Sequence, residues 1–293
     1  MARPNRYQIM DLYKEDIILE LKSLNDIVLT LSEIESVLSK NRQNWRLPIS
    51  TTLMEFIEFL VDKRKILEPV KFGTESRRQI RFIYTKENPD AISLALSLYS
   101  DSYLSHYSAV MYHDISYEIS KSVYVSREQS RKKNERVEIP QENIDDAFSK
   151  PMRRTSNFID YGDRRIYLLN STYSDNLGIV ERDKNRVTDI ERTLIDITVR
   201  PDYSGGVHEV INIFERAKKQ ISINRIIAYL KELNYSYPYH QSLGFYLEKS
   251  GYNSNSLKLL ENSFPFNHDF YLTYEMKDKS YNSRWKIYYP KNF

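Results

Sequence analysis

Five histidines and no cysteine among 293 residues restrict the chemistry this chain can carry. Thiol nucleophiles, disulfides and cysteine-ligated zinc or iron–sulfur clusters are excluded. His106 and His113 stand seven apart, which is not the His-Glu-x-x-His spacing of a zinc protease, and the chain has no catalytic triad pattern, Walker loop or dinucleotide fingerprint. Acid–base or metal chemistry would therefore fall to carboxylates. The stretch DFYLTYEMK offers Asp269, Glu275 and Lys277, the carboxylate-x-lysine pattern of a metal-dependent nuclease. So short a pattern recurs by chance in a chain with 40 acidic residues. A second stretch, ERTLIDITVRPDYSGGVHEV, sets Asp189 and Asp196 on one helical face, with Arg192 four before Asp196. That is the spacing of an ordinary ion pair, and no nucleophile within sequence reach converges on it. The reading is of a protein that is not an enzyme, with no catalytic residue, metal or cofactor.

The charged residues point elsewhere. Net charge is only +3, but Lys63 to Lys86 holds eight basic residues (Lys63, Arg64, Lys65, Lys71, Arg77, Arg78, Arg81, Lys86) against Glu68 and Glu75. The elements around this window are legible. Helical spacing of Ile17, Ile18, Leu21 and Leu24 marks a helix over 13–24, and Thr30 with Glu33 opens a second, running to about Ser39. After the connection KNRQNWRLPI, Thr52 and Glu55 open a third, with Leu53, Phe56, Ile57, Leu60 and Val61 on one face. ILEPVKF, the turn GTESRR and QIRFIYT then read as a hairpin. Three helices and a hairpin in that order predict a winged helix-turn-helix, whose third helix leads into the major groove while the wing lies along phosphates. DNA contacts then fall on Arg42, Asn44, Arg46, Ser50, Thr51 and Thr52 ahead of the third helix, and on Lys71, Arg77, Arg78 and Arg81 of the hairpin. The arginines would hold phosphates; the Asn, Ser and Thr groups would read base edges. Glu55, Glu58 and Asp62 on the same helix would repel phosphates, which favours the rival reading of a winged helix used for protein contacts.

Length suits two domains, here 1–92 as the winged helix and 93–293 as a larger mixed α/β domain, an α+β protein as a whole. Helices are predicted at 90–98, 105–113, 221–233, 241–250 and 256–261. Strands are predicted in SKSVYVS, RRIYLLNS, LGIVER, DFYLTYEM and RWKIYYP. The polar run 126–146, with Arg131, Lys132, Lys133 and Arg136, reads as a solvated loop; it would bind RNA only with aromatics clustered on neighbouring strands. Thr188 is expected to cap a helix to Val199, with Glu191 reaching back to it. Pro201 ends that helix, and Gly205 and Gly206 let the chain turn into a new one near Val207. No apolar run is long enough for a membrane span, and the N-terminus lacks a signal-peptide core, so a cytoplasmic protein is expected.

The blocks YLSHYSAVMYHDIS (103–116), VYVS (123–126), TDIERTLIDITVRPDYSGGVHEV (188–210) and RWKIYYP (284–290) resemble, in the same order, the AbiEi family of antitoxins, also called transcriptional regulators of viral defence systems. The resemblance covers roughly residues 90 to 290. It implies an N-terminal winged helix that represses its own operon by binding an inverted repeat in double-stranded operator DNA. It also implies a C-terminal domain that neutralises a nucleotidyltransferase-type toxin, directly or indirectly, in a type IV toxin–antitoxin system for abortive infection and phage defence. The family pattern falls here on Tyr103, Ser105, His106, Glu191, Arg192, Thr193, Asp196, Pro201, Gly205 and Gly206. The structural alternative is that Ser105 caps a helix, His106 donates to a backbone carbonyl, and Tyr103 and Trp285 pack in the core. Two further functions are weighed against this one: a non-enzymatic interaction subunit of a defence complex, and a nuclease using Asp269, Glu275 and Lys277.

Overall fold

The structure, a computed structural model, describes residues 4–25, 27–72, 79–85, 89–129, 137–183 and 185–293. The chain divides into two compact units, Met1–Ser100 with Ser156–Ile166, and Asp101–Thr155 with Tyr167–Phe293. Helices and three separate sheets make it a mixed α+β protein.

The first unit runs α1 (Arg6–Leu12), α2 (Lys14–Leu24), β1 (Val28–Leu29), α3 (Leu31–Asn41), α4 (Leu53–Glu58), β2 (Leu67–Phe72), β3 (Gln79–Tyr84) and α5 (Ala91–Ser97). Both expected capping boxes form: the Thr30 hydroxyl accepts from the Glu33 amide and the Thr52 hydroxyl from the Glu55 amide, and each glutamate bonds back to the cap. The sequence pattern did not mark α1, which Asn5 and Gln8 open by the same device. α4 continues into a π-helical turn, Phe59–Lys63, closed by the Arg64 amide on the Phe59 carbonyl at 3.0 Å. The sheet has the order β1-β3-β2, antiparallel throughout, with Val28 opposite Ile83 and Leu67 opposite Tyr84. Trp45, fully buried, donates its indole N–H to Asp16 Oδ2 at 2.5 Å and stacks on Phe56 in a core completed by Ile17, Leu38, Phe59 and Leu60. The expected turn GTESRR, including Arg77 and Arg78, lies outside the described residues, as do Lys86 and the basic cluster Arg131 to Arg136.

The second unit contains β4 (Tyr103–Leu104), α6 (His106–Tyr112), β5 (Ser122–Glu128) and α7 (Gln141–Ser149). β6 (Phe158–Tyr161), β7 (Arg164–Ser171), β8 (Ile179–Arg182) and β9 (Asn185–Thr188) follow, and residues 156–166 of the β6–β7 hairpin group with the first unit. Strand order is β6-β7-β5-β4-β9-β8, with β4 antiparallel to β5 and parallel to β9. α8 (Ile190–Val199) then leads through a 3₁₀ turn, Pro201–Tyr203, into α9 (Val207–Ala217), α10 (Ile223–Leu233), α11 (Tyr239–Lys249) and α12 (Ser254–Glu261). A small sheet of β10 (Phe270–Tyr271), β11 (Lys279–Asn282) and β12 (Ile287–Pro290), ordered β10-β12-β11, closes the chain.

Three expectations need correction. The polar run is not all loop, because Pro140 starts α7 inside it. DFYLTYEM is a strand only at Phe270–Tyr271 before the backbone turns, with Glu275 at φ +50°. The cap of α8 is Asp189, one residue beyond Thr188, and accepts from the Arg192 amide. The joint after α8 forms as the residues require: Gly205 and Gly206 take φ of +81° and +87°, and a Cβ on Gly205 would meet the Glu209 side chain at 2.9 Å. Among the described residues no helix is long and apolar enough to cross a membrane.

The tightest approach in the second core is at Gly244 on α11, where an added Cβ would lie 2.2 Å from the ring of fully buried Trp285. Neither backbone nor indole has space to yield, so Gly244→Ala should destabilise this unit by about 2 to 3 kcal/mol despite its better helix propensity. Urea unfolding followed by tryptophan emission measures it; a stability gain would refute this packing.

Candidate DNA-facing surface and buried ion cluster

In the first unit the irregular segment between α3 and α4 makes a few backbone bonds of its own, among them the Thr51 amide to the Pro48 carbonyl at 2.9 Å. Arg42 adds side-chain donors: Nη1 donates to the carbonyls of Pro48 (3.1 Å), Ile49 (3.0 Å) and Thr51 (2.7 Å). Arg6 Nη1 adds a long bond to the Ser50 carbonyl at 3.4 Å. Arg42, expected on phosphate, is thus committed to holding this segment. Thr51 is buried at 2% exposure and cannot reach a base. The Thr52 hydroxyl is spent in the capping box with Glu55. Asn44, Arg46 and Ser50 stand exposed, as does Lys71 on β2. Arg81 lies over the rings of Phe72 (5.5 Å) and Tyr99 (5.2 Å), bonded to Gln79 Oε1 at 3.3 Å, so its plane is used for packing.

The acidic face of α4 is largely neutralised. Glu55 pairs with Arg6; its own cap amide on Thr52, and then the Arg6 guanidinium, hold its carboxyl below the ordinary range. Glu58 accepts from the Tyr7 hydroxyl at 2.7 Å and pairs with Lys63 at 3.1 Å, and those contacts, Tyr7 first, lower it as well. Asp62, the third acid of this face, stands exposed in solvent. Two residues that sequence reasoning passed over are also exposed in and just after this segment: Ile49, 92% exposed, and Met54, 72% exposed.

In the second unit the ten motif residues come together mostly as architecture. Asp189 Oδ1 caps α8 through the Arg192 amide at 2.8 Å, and Oδ2 accepts from the Tyr229 hydroxyl at 2.7 Å. Glu191, expected to reach back to Thr188, instead accepts from the Ser222 amide (2.9 Å) and Arg225 (3.3 Å), tying α8 to the start of α10. Thr193 bonds Thr188 Oγ1 (2.8 Å) and the Asp189 carbonyl (2.7 Å). Arg192 and Asp196 form a buried pair at 2.9 Å, with side-chain exposures of 4% and 10%. Arg192 also donates to the Leu177 carbonyl (2.8 Å) and Ser174 Oγ (3.3 Å). Gly178 is required there: a Cβ would sit 2.7 Å from Arg192 Cβ. Burial works against the guanidinium charge, and the charge and hydrogen bond of Asp196, together with Tyr235 and Tyr103, more than offset it.

Around this pair lie Tyr103, its hydroxyl on Ser171 Oγ at 2.7 Å and its pKa pushed up to about 12 by burial, and Ser105, bonded to Ser126 Oγ at 2.7 Å. Ser105 occupies the cap position of α6 without capping it. His106 does not donate to a carbonyl; Nδ1 meets Ser105 Oγ at 2.9 Å, and its backbone holds φ +50°. Burial lowers its pKa to about 4; Asp196 opposes this, while Arg200 and Arg192 reinforce it. Tyr103 and Trp285 are core residues, 1% and 0% exposed.

The candidate nuclease residues do not gather into one site. Glu275 and Lys277 line a shallow surface cleft with Asp278 and Lys291, but Asp269 does not, and its carboxylate accepts from the Tyr281 hydroxyl at 2.5 Å. Among the described residues no group of three or more His, Asp or Glu side chains is placed to hold a metal ion.

No protein-family model and no curated protein matches the chain. Its fold is similar to that of the crystal structure of the RV2827C protein from Mycobacterium tuberculosis, with a TM-score of 0.60 over 95% of this chain and 91% of that one, at 10% identity. At that identity the likeness shows the fold alone.

Two outcomes test the cluster. Arg192→Ala strands a buried carboxylate and should cost about 3 to 5 kcal/mol of unfolding free energy, whereas Arg192→Met with Asp196→Leu should cost less. His106, whose folded pKa of about 4 lies below its ordinary 6.5, binds its proton first in the unfolded chain. Stability should therefore fall between about pH 6.5 and pH 4, by about 3 kcal/mol more than in His106→Asn, a residue that tolerates positive φ. Chemical unfolding across that range checks both, and identical pH profiles would place His106 in water.

Proposed function

We propose that this chain is an antitoxin and transcriptional autorepressor of a type IV toxin–antitoxin operon for phage defence. On this reading it acts in the cytoplasm, the first unit is a winged helix-turn-helix that binds an inverted repeat in double-stranded operator DNA, and the second neutralises a nucleotidyltransferase-type toxin. The observation that carries the DNA half is the pairing of Glu55 and Glu58 with Arg6, Tyr7 and Lys63. It offsets two of the three acidic charges that oppose placing α4 beside phosphates, and Asn44, Arg46 and Ser50 are exposed ahead of it, with Lys71 on the hairpin. The toxin half rests on the family resemblance of residues 103 to 290. The buried positions of its motif mean that a partner would meet the surface this framework supports, not the motif itself.

A second reading, a protein-interaction subunit of a defence complex, draws on the loop after α6, where Tyr117 and Ile119 are 88% and 82% exposed. Aromatic side chains are enriched where protein partners meet, and Arg216 lies over the Tyr117 ring.

Titrating the full-length protein onto DNA from immediately upstream of its reading frame, at several salt concentrations, separates the two. The first reading expects preference over random DNA. It also expects a log–log salt slope that becomes shallower by about 0.9 for each phosphate left without its cation in an Arg46→Ala, Arg77→Ala, Arg78→Ala variant. Binding no stronger than to random DNA, together with a stable stoichiometric protein partner, would favour the second. Co-expression with the neighbouring toxin should restore growth under the first reading.

A further inference from the structure

Ile49 is the most exposed large apolar side chain among the described residues, and Met54, five residues later, is 72% exposed. Neither position is loose. The carbonyls of residues 48 to 51 are held by Arg42 and Arg6, so the backbone that carries Ile49 is fixed from behind. Met54 follows directly on the Thr52 capping box that opens α4. Both side chains thus keep apolar surface in water at positions the backbone contacts define. The surroundings narrow what would meet it. Asn44, Arg46 and Ser50 flank them, residues 41–54 contain no acidic side chain, and the next acid, Glu55, is turned onto Arg6. A segment with an exposed guanidinium, an exposed amide, two exposed apolar side chains and no acid of its own is complementary to a polyanion that carries its own apolar groups.

In duplex DNA the major groove offers one such group, the C5-methyl of thymine, and side chains read it by apolar contact. We infer that Ile49 and Met54 read thymine methyl groups in the operator, and that they contribute sequence preference while the arginines contribute affinity. This deepens the DNA-binding reading above and depends on it.

The test replaces each thymine of the footprinted upstream site, one at a time, with deoxyuridine, which removes the methyl group and leaves base pairing intact. Affinity is measured for the full-length protein and for Ile49→Ala and Met54→Ala, each checked by circular dichroism to be folded. At one or two positions the replacement should weaken wild-type binding about four-fold. At those same positions one of the variants should no longer distinguish thymine from deoxyuridine. Both variants should bind random DNA as wild type does. Specific binding in which no replacement separates wild type from either variant overturns the inference and leaves the DNA reading standing. Absence of any preference for the upstream site over random DNA overturns both.

Discussion

Four consecutive carbonyls, Pro48 to Thr51, lie in a segment that is neither helix nor strand, so no helix or sheet ladder fixes their positions. The first unit meets this with two guanidinium groups, Arg42 from the end of α3 and Arg6 from α1. Everything distinctive about the unit follows. Arg6 also pairs with Glu55, which takes the acidic charge off the front of α4. With the backbone clamped, the side chains of Ile49 and Ser50 can only point outward. Of the residues that read in sequence as phosphate-binding charge, Arg42 and Arg81 serve internal contacts, while Arg46 and Lys71 stay exposed.

The second unit solves the same problem around α8. All eight residues from Glu191 to Thr198 are buried, polar ones included, because the charged groups here find partners on neighbouring elements: Glu191 on α10, Asp189 on Tyr229, Arg192 on Asp196 and on the turn at Leu177. A buried ion pair adds little net stability compared with apolar packing, but it fixes register, since sliding α8 would strand both charges. That accounts for a motif so dense in specific residue types.

Much of this architecture was legible from residue types. Capping boxes at Thr30 and Thr52 are local signals, and local signals survive into the fold. The joint at Pro201, Gly205 and Gly206 was legible for the same reason, as was the Arg192–Asp196 pair, set by helical spacing. What escaped was non-local. The partner of Glu55 lies 49 residues away and that of Glu191 31 or 34, and no pattern in one sequence announces them. Arg42, read from sequence as a DNA contact, donates to three carbonyls, and Thr51 is buried; charge and polarity in a sequence carry neither partner nor burial. The inclusion of residues 156–166 in the first unit is likewise a property of tertiary contact. Ile49 drew no attention because a single apolar residue has meaning only once its exposure is known.

On the proposed DNA-binding reading, the salt dependence of binding to upstream DNA by Arg42→Ala tests most directly whether Arg42 builds the segment ahead of α4 or touches DNA. The account predicts weaker binding with the log–log slope unchanged from wild type, because the deleted guanidinium held carbonyls and displaced no counterions. A slope shallower by about 0.9 would put Arg42 on a phosphate and contradict it.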